Sequence, residues 1–197
     1  MARLLTIADA VATHARLSPD KIGARDSRRA IRYSEWDQRA SGLAAGLLAM
    51  GLRAGDRVGL LAYNCLEWME IYVALARAGL VAVPINFRLT GPEIAYILGH
   101  AEVGAVIAGA EFCEALDGIR GEVQLPKGRH VVLGQAPAGD WLAYEEVIAG
   151  QPGPHAFAPV RPQDTCALMY TSGTTGRPKG AIRSHEGSSL IALATAL

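Results

Sequence analysis

Residues 58–85 read VGLLAYNCLEWMEIYVALARAGLVAVPI. Short apolar runs at 58–63 and 81–85 flank a stretch, 66–78, whose length and mixed polarity suit a helix. The same alternation continues outward. Apolar runs recur at 103–108 (VGAVIA), 130–133 (HVVL) and 165–170 (TCALMY), separated by helix-compatible stretches at 92–100, 111–118 and 141–149. Strands alternating with helices predict an α/β fold, a mainly parallel sheet flanked by helices on both faces.

Upstream, Thr6 can cap a helix over residues 7–17, and Ser18-Pro19-Asp20 punctuates its exit. A second helix is expected to start at a Ser34 cap. Its apolar positions Trp36, Ala40, Leu43, Ala44, Leu47 and Leu48 repeat at helical spacing until Gly51 closes it. Asn64 and Glu67 mark the start of the helix at 66–78. Pro92, just after Thr90-Gly91, suits the first turn of the helix that follows, with Ile94, Ile97, Leu98 and Ala101 along one face. Residues 150–164, GQPGPHAFAPVRPQD, hold four prolines and no apolar period, and read as a loop or linker. Trp36, Trp68 and Trp141 read as core aromatics.

The 197 residues are half hydrophobic and 19% charged, which predicts a packed core in one domain spanning 1–197. Mean hydropathy of +0.18 is high for a fully solvated chain and fits a piece of a larger protein. Nineteen basic residues balance nineteen acidic ones, so there is no electrostatic case for nucleic acid or an anionic membrane surface. Cys65, Cys113 and Cys166 lack the spacing of a disulfide framework or a zinc site and read as buried thiols. Asp9 follows a very short apolar stretch, too little for a signal peptide. No apolar run reaches the roughly 18 residues of a membrane span. A cytoplasmic protein is the default expectation.

Directly after the last apolar run comes YTSGTTGRPKG, residues 170–180. Gly173, Gly176 and Gly180 let the backbone turn tightly and approach a ligand, while Thr171, Ser172, Thr174 and Thr175 bring hydroxyls beside backbone amides. That combination is an anion cradle. Lys179 adds a flexible point charge suited to phosphate oxygens, and Pro178 restricts the backbone before it. A Walker loop is excluded, because the position for its second glycine falls on Pro178 or Ala181. No two glycines are separated by a single residue, so the dinucleotide fingerprint is absent, as are HExxH and GxSxG.

Tyr170 through Gly180 resembles the phosphate-loop signature of acyl-CoA synthetases, luciferases and peptide-synthetase adenylation domains. Ser184-His185 follows at the family's distance, although Glu186-Gly187 replaces the Asn often found after the His. Residues 33–98, from YSEWDQRAS to EIAYIL, are similar to the family's amino-terminal region, so the resemblance covers nearly the whole chain.

The resemblance implies the amino-terminal subdomain portion of an adenylate-forming enzyme. In such an enzyme a carboxylate, here a fatty acid by expectation, attacks the α-phosphorus of ATP, and a thiol, usually coenzyme A, then displaces AMP. Carried over by position, Thr171, Ser172, Gly173, Thr174, Thr175, Gly176 and Lys179 hold the ATP phosphates. Lys179 takes the catalytic role and Thr175 is the candidate Mg²⁺ ligand. Arg88 lies where some relatives contact coenzyme A, although it could equally cap a helix or pair with Glu93. A small-molecule carboxylate is the implied partner, and a homodimer is compatible with the family. His14, His100, His130 and His155 are scattered without ligand spacing, and His185 reads as a packing or hydrogen-bonding residue. The resemblance also implies that the adenine site, the ribose-binding Asp, most of the acyl pocket and a mobile C-terminal domain lie downstream. Residues 188–197 (SSLIALATAL) carry no helix stop, so a truncated chain, inactive alone, is expected. Two alternatives stay open: loading of a carrier-protein thiol, and a short non-catalytic nucleotide-binding protein.

Overall fold

The computed structural model describes residues 6–150, 156–171 and 177–195. In chain order the elements are α1 (Ile7–Leu17), β1 (Ile22–Arg25), β2 (Ala30–Arg32), α2 (Tyr33–Ala49), β3 (Arg57–Leu61), α3 (Glu67–Ala78), β4 (Val81–Pro84) and α4 (Gly91–His100). They continue with β5 (Val103–Gly109), a 3-10 turn leading into α5 (Cys113–Gly118), β6 (His130–Leu133), β7 (Trp141–Ala143), α6 (Tyr144–Ala149), β8 (Thr165–Thr171), β9 (Lys179–Ser184) and α7 (His185–Thr195). Seven strands form one sheet in the order β7-β6-β5-β3-β4-β8-β9, and β1 pairs with β2 as a separate antiparallel ribbon. Every neighbouring pair in the large sheet is parallel except β8 with β9.

Alternation along the strands explains why the inner ones are apolar almost throughout. Val58 and Leu60 of β3, Ala105 and Ile107 of β5, and Val131 of β6 face a cluster built with α1, α2, α3 and α6. Leu61, Val106, Ala108 and Val132 face the opposite cluster, under α4 and α5. Both sheet faces are covered, so both residue parities must be apolar.

Helix positions are set by close approaches. At Gly46 of α2 an added Cβ would lie 2.6 Å from the Val147 carbonyl oxygen, so α2 and α6 touch backbone to backbone there. Gly59 of β3 admits a side chain of α4 instead, since an added Cβ would lie 2.9 Å from Leu98 Cδ2. The start of α4 is fixed by a capping box in which the Thr90 N–H and hydroxyl donate to the Glu93 carboxylate, with Pro92 in the first turn.

The Glu70 side chain, fully buried on α3, ties four parts of the chain together. Its carboxylate accepts from Arg29 in the β1–β2 turn at 3.0 Å, from Arg39 of α2 at 2.9 and 3.1 Å, and from the Tyr144 hydroxyl of α6 at 2.9 Å. Arg39 also donates twice to Glu145, and Arg29 reaches Glu67. The same turn caps α3, because the Asp26 carboxylate accepts the Leu66 N–H at 3.2 Å.

Several local expectations differ from the structure. Helix α2 begins at Tyr33 with Arg32 as its cap, and the Ser34 hydroxyl instead donates to the Pro19 carbonyl oxygen at 2.9 Å. Residues 141–149 are not one helix: Trp141–Ala143 pairs in parallel with β6 before α6 starts. Cys113 is buried, but Cys65 and Cys166 are only partly so. Trp36 and Trp141 are buried, whereas Trp68 is partly exposed and donates to the Tyr63 carbonyl oxygen.

Removing one partner of a buried ionic group strands the rest. Glu70→Ala should therefore destabilise the chain by about 3–5 kcal/mol and Tyr144→Phe by about 1.5–3 kcal/mol. In urea unfolding, the double variant should fall well short of the sum, because both changes remove the same hydrogen bond.

Candidate functional site

Strands β8 and β9 form an antiparallel hairpin at the margin of the sheet. Their last cross-strand pair is Thr171 with Lys179, so the chain that leaves Thr171 returns at Lys179. Both residues are exposed. Ser172, Gly173, Thr174, Thr175 and Gly176 lie outside the described residues. Of the expected phosphate-binding positions, the structure brings Thr171 and Lys179 together as cross-strand neighbours at the mouth of the loop. Because β8 is parallel to β4, the loop leaves the same carboxyl edge of the sheet as the segment that follows β4. That edge is where open α/β sheets receive ligands.

Arg88 sits on that following segment, exposed, its guanidinium carbon 5.6 Å from the Phe87 ring centroid. Its backbone N–H donates to Asn86 Oδ1, and the Glu93 carboxylate is engaged by Thr90. Phe87 and Phe112 flank Tyr63 at 4.8 and 5.1 Å between ring centroids.

The exit of the loop rests against α4. Arg177 places its guanidinium carbon 5.7 Å from the Tyr96 ring centroid, and the Tyr96 hydroxyl donates to the Pro178 carbonyl oxygen at 3.4 Å. One turn along α4, His100 stacks on Tyr96 at 5.4 Å, and its Nδ1 lies 2.7 Å from the Tyr170 hydroxyl. Burial, and then the neighbouring Tyr96, push the Tyr170 phenol above the ordinary tyrosine value. The phenol is thus kept protonated, with a hydroxyl hydrogen to offer at that contact. Gly180, the cross-strand partner of Tyr170, leaves room for that ring: an added Cβ would lie 3.1 Å from Tyr170 Cζ.

At the far end of β9, the Ser184 hydroxyl accepts the Gly187 N–H and caps α7. His185 is 4% exposed and donates its backbone N–H to the Asp164 carbonyl oxygen. Its Nε2 is buried without a protein partner. Burial lowers its pKa, opposed by Asp164 and Asp9, so the ring is neutral and enclosed, as a packing residue should be. Cys65 and Cys113 are not activated nucleophiles, because burial pushes each thiol up to about 11. Among the described residues no group of three His, Cys, Asp or Glu side chains could hold a metal ion, and no helix is long and apolar enough to cross a membrane.

Sequence reasoning did not single out Tyr96, His100 and Tyr170. The spacing of Tyr96 and His100, four apart on one helix face, was visible, but their partners lie 70 and 82 residues away. His14 stacks on Tyr33 and His130 on the edge of Trp141, so neither gathers with the loop, and His155 lies outside the described residues.

A family model described as AMP-binding enzyme matches residues 11–197. The chain is 39% identical over 165 residues to a long-chain-fatty-acid–CoA ligase of Thermus thermophilus, covering 84% of this chain and 30% of that protein. It is also 39% identical over 171 residues to a feruloyl-CoA synthase of an Amycolatopsis species, covering 87% of this chain and 32% of that protein. A crystal structure of an anthranilate CoA ligase in complex with anthranoyl-AMP superposes with a TM-score of 0.87 at 29% identity, over 94% of this chain and 36% of that one. The chain spans about a third of the length of these curated relatives.

The lowered pKa of His185 gives a pH test. Stability contributed by the neutral ring is complete above the ordinary imidazole value of 6.5 and is lost as pH falls below it, because the unfolded state takes the proton first. Between about pH 8 and about pH 5, the urea midpoint of the wild type should drop more than that of His185→Gln. Equal drops would mean that His185 does not titrate on unfolding.

Proposed function

Because this chain belongs to the family of AMP-binding enzymes, we propose that it is the phosphate-holding part of a longer acyl-CoA synthetase that activates a carboxylic acid, a fatty acid by preference. One observation carries this reading. The two ends of the loop TSGTTGRPK are an adjacent cross-strand pair, Thr171 with Lys179, at the carboxyl edge of a parallel sheet. The names of three curated relatives, two fatty-acid–CoA ligases and a feruloyl-CoA synthase, support coenzyme A as the thiol acceptor over a carrier protein. Apolar side chains exposed around the hairpin, Met169, Ile182 at 75% and Leu190, fit a face that further protein covers.

In the proposed reaction a substrate carboxylate oxygen attacks the α-phosphorus of ATP, and the bond to the bridging oxygen of the β-phosphate breaks. Acyl-adenylate and pyrophosphate result, and a thiol then displaces AMP. Charge on the non-bridging oxygens rises in the first transition state, so fixed donors and a cation aimed at them accelerate it. Loop amides and hydroxyls from Thr171 through Gly176, with the Lys179 ammonium, supply these. The exposed Arg88 guanidinium is suited to a phosphate of coenzyme A. Bound Mg²⁺ would offset triphosphate charge. The candidate ligand here, Thr175, lies outside the described residues.

In the complete ligase that carries these residues, Lys179→Ala should slow carboxylate-dependent ATP–pyrophosphate exchange by about 100-fold with the unfolding midpoint unchanged. An unchanged exchange rate removes Lys179 from the mechanism. The 197-residue chain alone should show no exchange, because positioning the carboxylate needs groups it does not supply.

A further inference from the structure

We infer that His100 and Tyr170 are positioning residues that moor the phosphate-binding hairpin to α4. This inference rests on the phosphate-binding reading of the loop. Neither side chain touches the reacting atoms in this account. Their work is to hold the two strands from which the loop springs.

The hairpin needs such a mooring. It lies at the outer margin of the sheet, with β8 on its inner side and no further strand beyond β9 among the described residues. Four of the six β9 residues are exposed, so little packing fixes its entry end. A cradle for phosphate must nevertheless present its donors in one geometry, and ordering backbone on binding costs conformational entropy. Affinity therefore depends on how far the flanking chain is already held.

Helix α4 holds both flanks with one face. On the β8 side, His100 Nδ1 and the Tyr170 hydroxyl meet at 2.7 Å, one residue before Thr171. On the β9 side, Tyr96 carries Arg177 over its ring and donates to the Pro178 carbonyl oxygen, immediately before Lys179. Tyr96 and His100 stack on each other, so the two attachments form one unit. The helix itself is seated by Leu98 over Gly59 and by the Thr90–Glu93 capping box. The mooring thus refers the loop to the centre of the sheet. Gly180 belongs to the same device, because an added Cβ there would press on the Tyr170 ring across the strand pair, 3.1 Å from its Cζ.

Calorimetric titration of the 197-residue chain with magnesium pyrophosphate tests this directly. Tyr170→Phe removes only the hydroxyl, His100→Ala removes its ring partner, and His100→Gln keeps a side chain that can donate or accept. Tyr170→Phe and His100→Ala should each weaken binding about fivefold, the loss that one net hydrogen bond converts to. The double variant should be no weaker than either single one, and His100→Gln should recover most of the affinity. Amide hydrogen exchange at Thr171, Lys179 and Gly180 should quicken in Tyr170→Phe at an unchanged global unfolding midpoint. Wild-type binding with unaffected variants overturns the mooring alone. So does a loss that His100→Gln fails to recover. A wild type that does not bind pyrophosphate overturns the phosphate-loop reading, and the mooring with it.

Discussion

A carboxylate with no solvent contact has to be matched by donors, and in this protein that requirement is met at Glu70. Arg29, Arg39 and Tyr144 reach it from the β1–β2 turn, α2 and α6, while Glu70 itself projects from α3. Charge alone does not make such a group stabilising, since desolvation offsets most of the attraction. What it imposes is register: an alternative packing of any of the four parts leaves a buried charge unmatched. Gly46 adds a steric condition to the same interface, because α2 and α6 meet there at backbone contact. One face of the sheet is thereby specified by polar geometry as well as by apolar burial.

The other face is simpler and lies closer to function. It is mostly apolar, buried His130 beside Asp140 excepted, and its helix α4 is located by shape, with Leu98 seated on Gly59, and by its capping box. The solvent side of α4 carries Tyr96 and His100, which meet the hairpin from β8 to β9. Structure thus passes from the sheet centre through α4 to the mouth of the loop. In a phosphate-binding enzyme that path matters, because donors aimed in advance contribute more to the transition state than donors that must be gathered.

Much of the architecture was legible because both faces of the inner strands are buried. Runs such as VGLL and VAVP are nearly continuous in apolar residues, and helices of ten or more residues fill the gaps. Elements outside that condition were missed. Strand β9, KGAIRS, is mostly exposed and shows no apolar period. The short strands β1, β2 and β7 are specified by partners rather than by their own residues. Ser34 carried a capping signal, yet its hydroxyl found a better acceptor in Pro19, a contact made by the fold. Glu70 was not singled out, since nothing local reveals three donors from distant segments. At the candidate site, the glycine and hydroxyl content of residues 171–180 is what suggests an anion cradle, and of that stretch the structure describes Thr171 and residues 177–180. The mooring by His100 was not legible, because a pair 70 residues apart leaves no mark on local pattern.

In the proposed enzyme the hairpin mouth between Thr171 and Lys179 faces the phosphates of ATP. Backbone amide chemical shifts of the chain, recorded by NMR while ATP and Mg²⁺ are added, test it most directly. Saturable shifts are expected, centred on Thr171, Arg177, Lys179 and Gly180, with smaller ones along α4 at Tyr96 and His100. Shifts confined to another part of the chain, or none at millimolar ATP, would contradict it.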